Sequence, residues 1–247
     1  MPDSPVHSPH PILRDYYGAD SEKRRFVGTI FDSAGADYAR VESLLALGTG
    51  HWYRRQALLR AVVAPGMRML DVAVGTGLVA HEAAAIVGDA GLVVGVDPSA
   101  GMLAAATGLA GVPLARGRAE GLPFADGCFD FVSVGYALRH IDDLETAFRE
   151  YRRVLKSGGR LLMLEITPPE GRLAHSLLKL YLHDVVPVLA RMVARHRDTS
   201  RLFRYYWDTI AACAPAERVL ATLRAAGFES AARHVEGGIF SEYRARA

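Results

Sequence analysis

The sequence has few cysteines and no excess of charge of either sign. Its two cysteines, Cys128 and Cys213, stand far apart without a second pair, which argues against a disulfide framework and against a zinc site. The 29 basic and 27 acidic residues give a formal net charge of +2, so no overall field attracts nucleic acid or an anionic membrane. We therefore expect no bound metal and no nucleic-acid partner.

Long hydrophobic runs are also missing. No apolar stretch approaches the roughly 18 residues that a membrane-spanning helix needs, and the first eleven residues contain prolines but no hydrophobic signal core. From these absences we expect no transmembrane segment, a cytoplasmic location and a flexible tail over Met1–Pro11. The partner expected is a small-molecule substrate, and a homodimer is compatible with the sequence.

The chain does contain enough apolar sequence for one sizeable α/β domain. Of its 247 residues, 50% are hydrophobic, which suffices for a large core. Apolar residues at helical spacing predict N-terminal helices within residues 12–64. Alternating strand and helix patterns over residues 67–166 then predict a doubly wound, mostly parallel sheet, whose ligand crevice lies at the carboxyl ends of the strands.

Strand and helix patterns alternate regularly through this central part. The predicted strands are 67–74, 92–96, 112–115, 129–135 and 160–166, and the predicted helices between them are 78–87, 101–109 and 144–155. After Pro168 and Pro169, residues 170–212 have a helical pattern, which predicts either a cap over an apolar substrate or a helix packed on the sheet. A helix at 216–226 and strands at 231–235 and 239–244 are expected to close the domain, over residues 216–247.

The segment Met67–Gly77, MRMLDVAVGTG, is the most informative part of the sequence. It reads as a buried strand that ends near Asp71 and continues into a glycine-rich turn. Gly75 and Gly77 can adopt positive φ and lack the Cβ that would block a ligand, and the helix that follows points free N–H groups at the same place. At the tip of the next strand, Asp97 is positioned to bind a ribose diol.

The spacing of the glycines distinguishes between two classes of cofactor. A dinucleotide site would read G-x-G-x-x-G directly after the strand, whereas this chain has D-x-A-x-G-x-G, with Ala73 in place of the first glycine. The carboxylate of Asp71 would repel a pyrophosphate but suits the cationic amino-acid end of S-adenosylmethionine. The pattern therefore disfavours NAD and favours S-adenosylmethionine, with S-adenosylhomocysteine as the product.

Several motifs, taken in order, resemble those of one enzyme family. They are FDSAGADYARVESLLALGTGHWYRR, LDVAVGTG, VVGVDPSAGML, GRAEGLPFADGCFDFVSVGYALRHIDD, YRRVLKSGGRLLMLEIT and GGIFSEY. From about Phe31 to Tyr243 the chain resembles class I S-adenosylmethionine-dependent methyltransferases, and among them the ubiquinone/menaquinone biosynthesis C-methyltransferases. The resemblance implies a Rossmann-like sheet with an antiparallel last strand, N-terminal helices and a helical lid.

The resemblance also implies roles for individual residues. Asp71 and the turn from Ala73 through Gly75 to Gly77 would hold the methionine end of the cofactor. The remaining implied cofactor residues run from ribose to adenine and to the walls of the site: Asp97 and Pro98 at the ribose, Met102, Ala119 and Glu120 at the adenine, Tyr136 as the floor, and Tyr38 over the cofactor. For Tyr38 a place in the core is the alternative interpretation.

Two positions depart from the family pattern. Arg118 stands where family members commonly have an aspartate that binds the adenine amino group, and arginine offers no acceptor for that hydrogen bond. His140 lies in Leu-Arg-His-Ile, where the quinone enzymes have Leu-Arg-Asn-Val. The first departure moves adenine recognition to the backbone or to a neighbouring residue, and the second leaves the methyl acceptor open.

Three residues are candidates for the chemistry. Methyl transfer depends mainly on alignment, which is worth roughly 7–11 kcal/mol, but an acidic acceptor also has to lose a proton. His140, whose unperturbed pKa is about 6.5, is the candidate base, and a structural role is its alternative. Arg139 is a candidate to stabilise a phenolate, and Glu165 to orient His140 or the substrate.

Three functional hypotheses follow. The first is methyl transfer to a small, fairly apolar acceptor, such as a quinol-like or aromatic ring or a secondary metabolite, at carbon or oxygen. The second keeps fold and cofactor for another reaction, such as amino transfer in rhodoquinone formation or a rearrangement. The third is a binding protein without catalysis.

Overall fold

The computed structural model describes residues 7–45, 48–193 and 198–247. Its strands are β1 Arg68–Val72, β2 Leu92–Asp97, β3 Leu114–Arg116, β4 Phe129–Gly135, β5 Leu155–Ile166, β6 Glu229–Glu236 and β7 Phe240–Arg246. Its α-helices are α1 Asp20–Leu45, α2 Gly50–Arg60, α3 Leu78–Val87, α4 Ala100–Ala105, α5 Leu144–Val154, α6 Arg172–Lys179, α7 Val186–Val193, α8 Asp198–Ala212 and α9 Ala216–Ala225.

The strands form one seven-stranded sheet in the order β3-β2-β1-β4-β5-β7-β6. Strands β1 to β5 pair in parallel, and β7 lies antiparallel between β5 and β6. The predicted doubly wound sheet with an antiparallel last strand is thus confirmed. The chain leaves β1 toward β2 on one side and returns to β4 on the other, so a crevice opens at the carboxyl ends of β1 and β4.

Alternation along the strands supplies two apolar layers. In β1, Leu70 and Val72 face the cluster formed with α5 and α9, while Met69 faces the cluster formed with α2 and α3, as the two-residue period of a strand requires. Both sides of the sheet are therefore covered by helices. This arrangement explains why every residue of β1 after Arg68 is buried.

The helical insertion predicted for residues 170–212 is helical from Arg172 onward in its described part, with a π-helical stretch, Leu180–Val185, between α6 and α7. Helix α8 packs on α1, where Leu202 and Tyr205 contact Ile30 and Ala34. Residues 194–197 lie outside the described part. Together α1 and α8 cover the edge of the sheet where the crevice opens. Among the described helices, none is long and apolar enough to cross a membrane.

Two predicted boundaries are wrong. Strand β5 begins at Leu155 rather than at 160. Gly158 adopts φ +75°, and the pairing of β5 with β4 shifts register between Phe129 and Phe131, so the chain continues through the glycines within the sheet. Helix α4 ends at Ala105, earlier than the predicted 109.

Residues 7–11, the described part of the tail predicted over Met1–Pro11, form hydrogen bonds with the rest of the chain. The backbone N–H of Leu144 donates to the carbonyl of His7 (2.8 Å), and that of Ala214 donates to the carbonyl of Pro9 (2.7 Å). These carbonyls satisfy amide groups at the start of α5 and just after α8. The segment from residue 7 to residue 10, here called the N-terminal strap, is therefore part of the packed fold.

Helices α1 and α4 cross at a point where two glycines meet. A Cβ built on Gly35 would lie 2.5 Å from the carbonyl oxygen of Gly101, and one built on Gly101 would lie 2.2 Å from the carbonyl oxygen of Asp32. The side chain of Asp32 accepts hydrogen bonds from Ser99 Oγ (2.5 Å) and Gly101 N (3.0 Å). The close approach of the backbones thus holds α1 against the start of α4.

This crossing predicts opposite effects for two glycine substitutions in α1. Gly28→Ala adds a methyl group with no atom within 4 Å and should raise the free energy of unfolding by about 0.5–1 kcal/mol through helix propensity. Gly35→Ala gains the same propensity but collides with Gly101, and should lower stability by about 1–3 kcal/mol. Urea unfolding monitored by circular dichroism measures both. Equal stability of the two variants would contradict the crossing.

Candidate functional site

A cavity of about 300 Å³ lies at the carboxyl ends of β1, β2 and β4, beneath α1 and α8. Its volume is at the lower end of the usual range for small-molecule sites, about 300–1,000 Å³. The sequence-predicted residues in its wall are Asp71, Ala73, Gly75, Asp97, Pro98, Met102, Ala119, Glu120, Tyr136, Tyr38 and His140. The structure thus brings most of the candidate site to one place.

The glycine-rich turn follows β1 and begins α3. Ala73, Gly75 and Gly77 all have positive φ, at +54°, +57° and +89°, and Gly77 is the N-cap of the helix. A Cβ on Gly77 would lie 2.4 Å from Leu109 Cδ1, so this glycine is required for packing behind the turn and does not line the cavity. Gly75 does line it, and the turn aims the free N–H groups of α3 at the same space.

Asp71, in β1, carries a buried carboxylate at the bottom of the cavity. It accepts a hydrogen bond from Ser133 Oγ in the neighbouring strand β4. Burial raises the pKa of Asp71 to about 7, and the nearby charge of Asp97 adds to this, while Ser133 and Arg54 oppose it. Burial thus disfavours the ionised form of this carboxylate, and a cation beside it would favour that form.

Asp97, at the tip of β2, uses both carboxylate oxygens to shape the site. Oδ2 accepts from Gly75 N and Oδ1 from Ser99 N, each at 2.8 Å. Burial raises the pKa of Asp97, and these two backbone N–H groups oppose the rise. Each oxygen keeps a second lone pair, so the side chain can fix the turn and still accept two hydroxyl groups.

Arg54 is a cavity residue that the sequence analysis did not assign. It projects from α2, its side chain is only 5% exposed, and it pairs with Glu42 of α1. Its Nε and the hydroxyl of Thr76 are buried without a hydrogen-bond partner in the described part of the chain. A signal existed in the sequence, because Arg54 stands between Tyr53 and Ala57 on the face of α2 that packs on the sheet.

The side of the cavity under α1 and α8 is aromatic. The hydroxyl groups of Tyr38 and Tyr206 are 2.6 Å apart and join α1 to α8. The ring of His140 stacks on Tyr205 and Tyr206, at 5.6 and 5.7 Å between centroids, and meets the edge of Phe31. This pocket of rings suits a flat, largely apolar group.

His140 differs from the expectation of a residue that titrates near neutrality. Burial, and then the charges of Arg139 and Lys23, lower its pKa well below 6.5. Both ring nitrogens are buried without a hydrogen-bond partner among the described residues. The imidazole is therefore neutral at physiological pH and offers one acceptor to whatever enters the aromatic side.

Arg139 and Glu165 occupy positions other than those expected. They form a buried ion pair, with Arg139 Nε 3.0 Å from Glu165 Oε2, and neither lines the cavity formed by the described residues. Arg139 also donates to the carbonyl of Tyr136 at 3.3 Å and lies under the ring of Tyr206. Because Glu165 offsets its charge, Arg139 is a support that ties the end of β4 to α8, and it does not contact the substrate space.

The polar atoms of the cavity fit S-adenosylmethionine. The deep end combines a carboxylate, Asp71, with orphaned donors on Arg54 and Thr76, as a group carrying both ammonium and carboxylate requires. Asp97 lies at the end of β2, the strand next to β1, and Met102 provides an apolar wall beyond it. Among the described residues no group of three or more potential metal ligands is found.

Comparison with known proteins agrees with this geometry. The model of the ubiE/COQ5 methyltransferase family matches residues 18–245. A relative from Ectopseudomonas mendocina, named ubiquinone/menaquinone biosynthesis C-methyltransferase UbiE, is 34% identical over 233 residues, which cover 91% of this chain and 90% of the relative. Another of the same name, from Pseudoalteromonas translucida, is 30% identical over 92% of both chains.

Solved structures share the fold at lower sequence identity. The crystal structure of the [4+2]-cyclase SpnF superposes with a TM-score of 0.63 at 21% identity and covers 98% of both chains. At that identity the likeness shows the fold alone, whereas the family match extends over nearly the whole sequence. The chain therefore belongs to the ubiE/COQ5 methyltransferase family and is an S-adenosylmethionine-dependent methyltransferase.

Proposed function

We propose that the methyl acceptor is a small, largely apolar aromatic ring of the quinol type, methylated at carbon or oxygen. The observation that supports this most directly is the division of the cavity into a polar end around Asp71 and an aromatic end around Tyr206 and His140. The names of the relatives, which refer to quinone biosynthesis and C-methylation, point to the same class of acceptor.

The proposed orientation of the cofactor follows the charges in the wall. Asp71 faces the ammonium and sulfonium charges, the buried guanidinium of Arg54 faces the carboxylate, and Asp97 accepts from the two ribose hydroxyls. The remaining proposed cofactor contacts are Ala73, Gly75, Pro98, Met102, Ala119, Glu120, Tyr136 and Tyr38. Each charged group of the cofactor then meets a group of opposite charge, as burial requires.

The transfer itself is a single displacement. The acceptor atom forms a bond to the methyl carbon, the carbon–sulfur bond breaks with its electron pair going to sulfur, and one proton leaves the acceptor. The cavity contributes by holding the two reactants in line, worth roughly 7–11 kcal/mol of barrier. The rings of Phe31 and Tyr206 limit how the acceptor can tilt.

His140 is proposed to accept the hydrogen bond of the ring hydroxyl and then its proton. An imidazolium is disfavoured at this buried position by Arg139, and a sulfonium in the same cavity would disfavour it further. Methyl transfer removes the sulfonium charge, so a proton that moves to His140 in the same step keeps the total positive charge of the cavity constant. The proton transfer is thereby coupled to the methyl transfer.

The assay for the proposed function uses a short-chain prenylated 1,4-naphthoquinol, kept reduced, with S-adenosylmethionine. We expect S-adenosylhomocysteine and the singly methylated ring in equal amounts.

His140→Phe keeps the aromatic stack but removes the ring nitrogens and should lower kcat by about 10²- to 10⁴-fold, with little change in KM for the cofactor. His140→Asn supplies a hydrogen-bond acceptor but no base, so its kcat should stay far below that of the unmodified protein. Full activity of His140→Phe from pH 6 to 9 would disprove the role of His140, and failure to form S-adenosylhomocysteine with this quinol would contradict the quinol-type acceptor.

Asp97 is expected to confer dependence on the 2′-hydroxyl of the ribose. The unmodified protein should bind S-adenosylhomocysteine about ten- to a hundredfold more tightly than its 2′-deoxy analogue, because a hydrogen bond to a charged acceptor is worth about 1.5–3 kcal/mol. Asp97→Ala should bind both weakly and equally. Asp126→Ala, which removes an exposed carboxylate paired with Arg153, is the control for lost charge. Preserved discrimination in Asp97→Ala would place the ribose elsewhere.

Asp71 should make stability depend on pH. Its pKa is raised to about 7 in the folded protein from 3.8, so between about pH 4 and 7 the folded state binds more protons than the unfolded state, and stability falls as pH rises. Asp71→Asn cannot ionise, so its stability advantage over the unmodified protein should be absent near pH 4, grow up to pH 7, and level off on the order of 4 kcal/mol.

Denaturant unfolding at several pH values measures this difference in the ligand-free protein. Asp130→Asn is the matched control. Burial, the largest single influence, raises the pKa of Asp130, but the hydrogen bonds from Lys156 and from the backbone of Arg68, together with the charges of both residues, lower it overall. That variant should lose stability at neutral pH and match the unmodified protein in acid. A pH-independent difference between Asp71→Asn and the unmodified protein would show that Asp71 is already ionised when the cavity is empty.

A further inference from the structure

The end of the cavity beyond Asp97 is lined by charged residues that the proposed function has not yet used. If the ribose lies at the tip of β2 and the methionine end lies between β1 and β4, the base must extend toward β3, because β3 is the next strand on that side. The wall there consists of Met102, Ala119 and Ile141 together with Arg24, Arg118, Glu120 and Asp142. Two cations and two anions thus meet at the place for the base.

These four side chains form a connected network. Asp142 Oδ2 accepts from Arg118 NH2 at 2.6 Å and from Arg24 Nε at 2.9 Å. Glu120 Oε1 accepts from Asp142 N at 2.9 Å, and Glu120 Oε2 lies 3.4 Å from Arg118 Nε. Asp142 Oδ1 accepts no hydrogen bond within the described ranges of the chain. The carboxylate of Asp142, a residue of the cavity wall, is therefore held through Oδ2 by two guanidinium groups, and its Oδ1 remains available.

We propose that Asp142 Oδ1 accepts a hydrogen bond from the exocyclic amino group of the cofactor's adenine, and that Arg118 is the positioning residue that holds Asp142 for this contact. The inference rests on the proposed placement of the cofactor. Arg118 itself has no acceptor, and each oxygen of Glu120 already has one partner, Asp142 N for Oε1 and Arg118 Nε for Oε2. Asp142 is the acidic side chain left with a free oxygen at this end of the described cavity.

The assignment determines specificity for the base. A carboxylate attracts the amino group at purine position 6 but repels a carbonyl oxygen there, so the site should reject the deaminated nucleoside. An asparagine at position 142 presents both an acceptor and a donor and tolerates either base. The carboxylate therefore supplies the discrimination, and the two arginines supply its orientation.

Calorimetric titration with S-adenosylhomocysteine and with its deaminated analogue, S-inosylhomocysteine, tests the assignment. The unmodified protein should prefer the adenine compound by about tenfold or more, as expected for a bond to a charged acceptor. Asp142→Asn should reduce the preference to about threefold or less. The matched control Asp126→Asn, an exposed aspartate also paired with an arginine, should keep the full preference. Full preference in Asp142→Asn would overturn the proposal.

A double-mutant cycle tests the positioning role of Arg118. Arg118→Met should narrow the preference for adenine when Asp142 is present, Arg118→Lys should restore part of it, and Arg118→Met should have no further effect in Asp142→Asn. An equal effect of Arg118→Met in both backgrounds would show that Arg118 acts on the base without Asp142, and would overturn the positioning role.

The outcomes also separate this inference from the proposed placement of the cofactor. Equal binding of both nucleosides by the unmodified protein, with Asp97→Ala still losing its dependence on the 2′-hydroxyl, would overturn the role of Asp142 and keep the ribose site. Binding of neither compound would overturn both.

Discussion

The structure of the site depends on two carboxylates buried at the ends of adjacent parallel strands. Burial disfavours the ionised form of both carboxylates, and a neighbouring carboxylate adds to this effect, Asp97 at Asp71 and Asp32 at Asp97. The backbone N–H groups of Gly75 and Ser99 stabilise ionised Asp97, and the hydroxyl of Ser133 and the backbone of Ala80 stabilise ionised Asp71. A ligand that places a positive charge next to Asp71 therefore stabilises its ionised carboxylate. Binding of such a ligand also stabilises the folded protein.

Much of this arrangement is readable from the sequence. The alternation of strands and helices predicted the confirmed sheet, and the spacing from Asp71 to Gly77 distinguished the cofactor class, because both depend on short-range patterns of apolar residues and glycines. The family resemblance, now confirmed, came from motifs in a fixed order. Local sequence patterns are therefore sufficient to predict functional residues that lie at the ends of strands.

Other features depend on contacts between distant segments, and no local pattern contains them. Arg54 reaches the cavity only because α2 packs on the sheet beside α3. Arg139, in the turn after β4, pairs with Glu165 at the end of β5, and this ion pair keeps both residues from the roles that the sequence had indicated. The low pKa of His140 likewise follows from rings supplied by α1 and α8. Sequence reasoning named Arg139, Glu165 and His140 as candidates and missed Arg54, and it could not give the surroundings of any of them.

The N-terminal strap has a practical consequence for work on this protein. Its carbonyl groups on His7 and Pro9 are the hydrogen-bond acceptors for amides of Leu144 and Ala214. A shortened chain that starts at α1 would leave those two amides, at the start of α5 and just after α8, with only water as a hydrogen-bond acceptor. Purification tags and cleavage sites should therefore be added ahead of residue 7, and they should not replace the N-terminal strap.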